Sequence, residues 1–377
     1  MNFELSEEQG MLRDSVARWV QDNYDFEARN ASVANDEGFS REHWNTFAEL
    51  GWLSIPFAEE LGGFGGGVVD VMAVMEQFGK GLVAEPFMAN VLLFGAMLQT
   101  AGSDDQKALL ETMIGGGLQG ALAFAERNSR YNLAHVETTA DTDGDGFVLN
   151  GSKAVVFNAV AAEKIIVVAR TRGDVDSRDG ISMFLVDADA DGLTLERFRL
   201  MDGQVAANVR LNNVKVTMAQ LVGALHKGLE PLESVIADAT VAISAEAVGI
   251  MDVLTQKTVA YTKTRKQFGV AISSFQALQH RMVDMMIETE QTKSLLYRAV
   301  CAIEEGSDDV ARSIAALKAK VGSAGRQVGA EAVQIHGGMG MTDELDIGHF
   351  MKRLMLINMW FGDEDYHQQR FADLSYN

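Results

Sequence analysis

A single cysteine, Cys301, stands among 377 residues, which excludes a disulfide within the chain and any cysteine-cluster metal site. Between Val300 and Ala302 it is expected to pack as a small hydrophobe, not to act as a thiol nucleophile. Proline is nearly as scarce: there are three, none after Pro231, so helices beyond that point run without a built-in breaker. No apolar run of about 18 residues escapes a charge or a glycine, and Met1-Asn2-Phe3-Glu4-Leu5 has no secretory pattern. A soluble, cytoplasmic protein is expected. Positive charge is also short, with 32 Lys and Arg against 53 Asp and Glu and a formal net charge of −21. Such a surface repels nucleic acid and anionic membranes, and neither is expected as a partner. It leaves room for an anionic small ligand held by a few local arginines and backbone N–H groups.

What is present divides by period. Residues 6 to 118 are helical in pattern: Ser6-Glu7-Glu8-Gln9 is a capping box, followed by Met11, Leu12, Val16, Trp19 and Val20 on one helical face. Further helices are expected over 41–50, 69–78, 87–100 and 104–114. The glycine run 62–67 lacks the Gly-Lys-Ser/Thr ending of a phosphate loop and reads as a plain loop. From about Gly120 to Val222 short β-prone runs take over, among them 121–124, 147–149, 165–169 and 181–186. Asp141-Thr142-Asp143-Gly144-Asp145-Gly146 imitates a calcium loop, but its twelfth position is Ser152 where a bidentate Glu is needed, so it reads as a hairpin turn. No metal site is expected. From Leu229 onward the helical period returns, notably at 287–303 and 310–333, and Met282, Met285 and Met286 suit helix packing. The expected division is 1–118 helical, 119–226 β and 227–377 helical.

Two segments carry the chemistry. Gln334-Ile335-His336-Gly337-Gly338-Met339-Gly340 places three glycines at a bend in an alanine-rich helical region, where backbone N–H groups can approach a phosphate without a Cβ in the way. Read alone it is more simply a helix-ending turn. Arg265-Lys266-Gln267-Phe268-Gly269 adds a guanidinium suited to a diphosphate, an amide and an aromatic face.

Those two segments, the opening Phe3-x-Leu5-Ser6-Glu7-Glu8-Gln9 and the order helices, β domain, helices together resemble the acyl-CoA dehydrogenase family over essentially the whole chain. Gly81-Leu82-Val83-Ala84-Glu85-Pro86-Phe87 resembles the small-subunit, pimeloyl-CoA-dehydrogenase-like branch. The resemblance implies a mainly α fold with a central β domain: a helical N-domain, a β-barrel-like middle domain and a four-helix C-domain, usually in a tetramer. It implies FAD, an acyl-CoA substrate of fatty acid metabolism, and α,β-dehydrogenation by removal of a Cα proton and a Cβ hydride. By the same resemblance Arg265, Gln267, Phe268, Gly269, Gln276, Gln334, Gly337 and Gly338 would embrace the adenosine-diphosphate half of FAD across a subunit interface, with Thr342 nearby.

The chain departs from the family where the proton is taken. The usual Tyr-Glu-Gly-Thr-like segment reads Trp360-Phe361-Gly362-Asp363, so Phe361 holds the place of the base, and the earlier helix used by other branches offers only Ala239-Thr240. Asp238, Asp363 and Glu364 are the nearby carboxylates, Asp363 being the foremost candidate. Ala125-Glu126-Arg127 replaces a Thr-Glu-Pro that would face flavin, and Val155-Val156-Phe157-Asn158 replaces Trp-x-Thr-Asn. Motifs lent to a neighbour's FAD are kept, whereas those serving the chain's own flavin pocket are lost. The pattern points to a hetero-oligomer with a second, catalytic acyl-CoA dehydrogenase subunit. The alternatives are a homo-oligomer using Asp363 as a displaced base and a non-catalytic CoA-ester binding or structural subunit. Bulky Trp360 and Phe361 suggest a narrowed site.

Overall fold

The computed structural model describes residues 5–376, so Phe3 of the opening motif and the rest of 1–4 lie outside the described residues. Along the chain run α1 (Glu7–Asn23), α2 (Phe26–Ala34), α3 (Arg41–Glu49), α4 (Val68–Gly81), a π-helical stretch Phe87–Gly95, α5 (Ala96–Ala101), α6 (Asp104–Lys107) and α7 (Leu109–Ile114). Then come β1 (Gly120–Ala123), β2 (Thr139–Asp143), β3 (Gly146–Phe157), β4 (Lys164–Arg170), β5 (Ile181–Asp187), β6 (Leu193–Arg199), β7 (Val205–Thr217) and β8 (Leu221–Val222). Last are α8 (Leu229–Thr264), the short strands β9 (Lys266–Gln267) and β10 (Val270–Ala271), α9 (Gln276–Glu304), α10 (Val310–His336), α11 (Asp346–Met359) and α12 (Glu364–Tyr376).

Two compact units emerge, each assembled from separated stretches of chain. One comprises 1–30, 67–83 and 240–377, the other 31–66 and 84–239.

In the first unit α10 packs against α9, α11 and α12, and α1 against α4. The capping box forms as expected: the Ser6 hydroxyl accepts the N–H of Gln9, and the Gln9 side chain accepts that of Ser6. Val16 and Val20 are buried, but Met11 is 61% exposed, which corrects its placement on the inner face. The 36-residue α8 is long and apolar enough by composition to cross a membrane, yet 83% of its most apolar window is buried. It is a core helix. A Cβ on Gly79 would lie 2.1 Å from the Glu246 carbonyl oxygen, and one on Gly249 would lie 2.0 Å from that of Glu76. Only glycine lets the α4 and α8 backbones meet so closely. Met282 and Met285 are buried as packing residues, whereas Met286 points outward at 57% exposure. Cys301 is half-buried between buried Val300 and Ala302.

In the second unit one eight-stranded sheet runs in the order β6-β7-β3-β2-β4-β5-β8, with β1 parallel to β4. The expected barrel-like domain is thus a single sheet whose end strands, β6 and β8, share no ladder among the described residues. Its core gathers Leu149, Ile165, Val167, Phe184, Val186, Val209 and Val214. The calcium-loop mimic is the hairpin turn between β2 and β3, pairing Asp143 with Gly146. β6 and β7 were not anticipated, because Glu, Arg and Asn alternate through them with few apolar residues on the outer face.

The segment 87–100, expected as one α-helix, winds as a π-helix over its first nine residues, all of them buried. Asn90, fully buried, donates to the Leu118 carbonyl and accepts the Gly120 N–H. With apolar residues on every side, helical periodicity carries no signal of the wider turn.

Candidate functional site

Two regions of the first unit bear on function: a lip of exposed donors and a buried corner.

The lip begins where α8 ends. Arg265 is exposed and starts a tight hairpin: β9 and β10 pair Gln267 with Val270, and the connecting Phe268 and Gly269 both take positive φ, 53° and 81°. Such a pair of left-handed residues is what a two-residue hairpin turn needs. The turn presents the Phe268 ring at 92% exposure. Gln267 is exposed, and its amide donates to the Lys266 carbonyl at 2.8 Å. Gln276 opens α9 and is exposed.

The glycine segment lies at the end of α10. Gln334 is exposed; Gly337 turns out of the helix with φ 63° and ψ −142°, and a short 3-10 turn covers Gly337–Met341. A Cβ on either Gly337 or Gly338 would meet nothing within 4 Å. Thr342 closes the turn, its hydroxyl donating to the Met339 carbonyl at 3.0 Å.

Some 70 residues apart in sequence, the two segments are tied at their bases. The Tyr261 ring stacks on His336 with centroids 4.3 Å apart, and its hydroxyl donates to the His336 carbonyl at 3.4 Å. The Arg281–Glu331 ion pair joins α9 to α10 at 2.5 Å. A guanidinium with no ion-pair partner among the described residues, exposed amides and open glycine N–H groups suit a diphosphate with its negative charge. The residues present therefore fit the adenosine-diphosphate end of FAD.

The corner joins α11 to α12 and contains the position of the expected base. Phe361 is half-buried and left-handed at φ 60°, its ring stacked on Trp360 with centroids 5.1 Å apart. The Arg353 guanidinium lies 5.6 Å from the Trp360 ring centroid and grips Glu246 twice, at 2.5 and 2.9 Å. Glu246 and Arg353 are 4% and 5% exposed. From the other side Lys318, fully buried, donates to the carbonyls of Asn358 at 3.1 Å and Gly362 at 2.6 Å. His367 Nε2 donates to the Phe361 carbonyl at 2.9 Å, which leaves buried Nδ1 as a bare acceptor with no partner among the described residues. Gly362 must be glycine here: its φ is 112°, and a Cβ would sit 2.5 Å from His367 Nε2.

Burial lowers Lys318 to about 7 against a partial counter-effect from Asp363, and lowers His367 to about 4 despite its bond to Phe361. Both side chains are most easily held neutral.

The two carboxylates that follow the corner in sequence are engaged. Asp363 Oδ1 accepts the Tyr366 N–H at 2.9 Å, capping α12. Glu364 pairs with Arg326 at 2.9 Å and accepts the Gln368 amide. Asp238 is exposed on α8, with its carboxyl raised by partial desolvation. It lies about 200° around the helix from Thr240, on another face. Ala239 and Thr240 are themselves buried.

In the second unit, burial raises the Glu126 carboxyl and Lys153 more than offsets it, so the group stays below its ordinary range. Lys153 Nζ reaches Glu126 at 2.5 Å, and the same carboxylate accepts the N–H groups of Glu137 and Thr138. Fully buried Lys153 is lowered to about 8. Val155, where the resemblance expects a tryptophan, is 42% exposed at φ 51°, a strained conformation for a β-branched residue. Phe157 is half-buried, and Asn158 donates to Gln119 and to the Gly120 carbonyl.

Sequence reasoning missed Glu246, Arg353, Lys318, His367 and the Glu126–Lys153 pair. A signal existed for Lys318, which interrupts the apolar stripe Ile314, Leu317, Val321, and for Glu246, the lone acid in a run of alanines and aliphatics.

Three family models match in order: the acyl-CoA dehydrogenase N-terminal domain over residues 6–116, the middle domain over 121–214 and the C-terminal domain over 226–373. A Bacillus subtilis protein named as the probable acyl-CoA dehydrogenase YngJ is 30% identical, with 97% of each chain covered. The FAD complex of PigA is 27% identical with a TM-score of 0.92 and 99% of each chain covered. A variant of the Tcur3481–Tcur3483 steroid ACAD is also 27% identical, with a TM-score of 0.87 over 98% of this chain and 97% of that one.

Proposed function

Because the chain belongs to the acyl-CoA dehydrogenase family, we propose that it is a subunit of an FAD-dependent enzyme that desaturates an acyl-CoA thioester, lending the diphosphate-binding lip while a related partner carries the reacting site. The observation that carries this reading is the corner. At the place where the resemblance expects the proton-abstracting carboxylate stands Phe361, stacked on Trp360, and Lys318 and His367 Nε2 beside it donate to the backbone carbonyls of the corner.

FAD, when bound, takes up the hydride leaving Cβ. Toward it this chain offers Arg265 as a charge partner for the diphosphate, the amides of Gln267, Gln276 and Gln334 as hydrogen-bonding groups, Phe268 as an aromatic face, and Gly269, Gly337 and Gly338 as places of close backbone approach. A base for the Cα proton is what it lacks. Asp363 in a homo-oligomer is the rival, but its Oδ1 already caps α12.

The paired name of the Tcur3481–Tcur3483 steroid ACAD supports a hetero-oligomer, and the segment 81–87 supports the small-subunit branch. We assign the limits 1–118, 119–226 and 227–377 to the N-terminal, middle and C-terminal parts, and a cytoplasmic α2β2 tetramer to the assembly.

The test is to isolate the chain alone and, by affinity tag from its own host, with whatever chain accompanies it. Flavin absorbance that appears only in the mixed complex, and bleaches there with acyl-CoA, is the expected result. Flavin and bleaching in the chain alone would overturn the reading.

A further inference from the structure

Losing a carboxylate does not by itself close a binding site. A thioester can sit beside an uncharged residue and simply fail to react. The corner goes further than that loss, because its backbone is fastened from two sides. Lys318, reaching from α10, holds the carbonyls of Asn358 and Gly362, and His367, from α12, holds the carbonyl of Phe361. Asn358 Oδ1 accepts the Glu364 N–H at 3.2 Å, closing the turn. On the side-chain face the order is Glu246, Arg353, Trp360, Phe361: a buried ion pair, a cation over an indole, and two stacked rings.

Phe361 pays a conformational cost to be there. A non-glycine residue at φ 60° is uncommon, and its backbone is strained there. Glycine or asparagine would accept that backbone readily. An aromatic ring is therefore held where glycine or asparagine would relieve the backbone.

We propose that this corner is a stopper: Lys318 and His367 fasten its backbone so that the Phe361 ring stays in the place of the family's proton-abstracting carboxylate and keeps an acyl thioester out of this chain's own reacting position. The inference rests on the subunit reading above and deepens it. An assembly of this chain with a catalytic partner then takes one thioester per pair of unlike chains, and the limit is steric.

The experiment uses the affinity-isolated assembly and non-reactive 3-thia analogues of butyryl-, octanoyl- and palmitoyl-CoA, counted by native mass spectrometry and titration calorimetry. The wild-type assembly is expected to bind one analogue per unlike pair. Phe361→Gly, which removes the ring and suits the left-handed backbone, is expected to double that number to one per chain. Phe361→Asn serves as the second variant, and both are checked for unchanged flavin content and thermal midpoint before counting.

A wild-type assembly carrying an analogue in every chain overturns the stopper while leaving the hetero-oligomer standing. So does a count unchanged in two well-folded variants. An assembly containing this chain alone, with flavin that bleaches, instead overturns the subunit reading itself.

Discussion

The lip and the corner belong to the same unit, and each follows the end of a long helix, yet they spend their polar groups in opposite ways. At the lip, Arg265, Gln276, Gln334 and the Gly337–Gly338 backbone face outward, and the largest hydrophobe, Phe268, is 92% exposed. At the corner Lys318, Arg353, Glu246 and His367 are buried and directed at groups of the same chain. A surface that keeps donors free is arranged for something outside itself, whereas one that satisfies its own groups is arranged to stay put. Both regions depart from simple helix geometry, the lip with its donors exposed and the corner with its charged side chains buried.

The largest effect is expected at the corner's anchor. Glu246→Ala removes the carboxylate that Arg353 grips in the core, and breaking a buried pair this way costs about 3–5 kcal/mol. Urea unfolding measures it, and a loss below about 1 kcal/mol would mean that the pair does not anchor the corner.

Lys318→Met comes next, at about 2 kcal/mol near neutral pH, since two buried carbonyls lose their donor while the burden of a buried amine is lifted. Its pH dependence is the sharper readout. Folding lowers Lys318 from 10.5 to about 7, so in that window the unfolded chain binds more protons. The contribution of Lys318 to stability should thus improve as pH rises from about 7 toward 10.5, and the wild type should gain on Lys318→Met across it. Parallel curves for the two proteins would show that the amine is not desolvated.

At the lip the effect moves from stability to ligand. Removal of a charge-assisted partner in Arg265→Ala is expected to weaken FAD retention about ten- to a hundredfold, with apo-protein stability unchanged. Retention is read by equilibrium dialysis of the assembly, and an unchanged value would remove Arg265 from the lip. Smallest of all, Phe268→Ala should shift thermal stability by less than about 0.5 kcal/mol, because its ring is largely in solvent and meets the exposed Phe275 ring edge-on with centroids 6.1 Å apart. A loss much larger than that would break the contrast with the corner.

Much of the helical order was legible because its causes are local. The Ser6 capping box, the hairpin at Asp143–Gly146 and the end of α10 at Gly337 each follow from neighbouring residues. Met11 was misplaced because a helical stripe in sequence does not say how wide the covering neighbour is. The π-helical turn of 87–95 escaped because Asn90 is held by Leu118 and Gly120, groups about 30 residues away. At the site, the two segments of the lip could be read as glycine and arginine chemistry. Their joining through Tyr261 and His336 could not, since stacking of those rings depends on how α8 and α10 pack.

By itself the sequence determined the family, and residue identity and short spacing put glycine and arginine segments at the expected lip and Phe361 where the resemblance expects a carboxylate. Only the tertiary structure decided what that loss became. Lys318 and Glu246 read as ordinary polar residues on long helices until packing removed their water, and a buried polar group must then find partners among the groups that packing brings to it. The partners it brought were the backbone carbonyls of the corner and the guanidinium of Arg353, and so the place of a missing base is a fastened one.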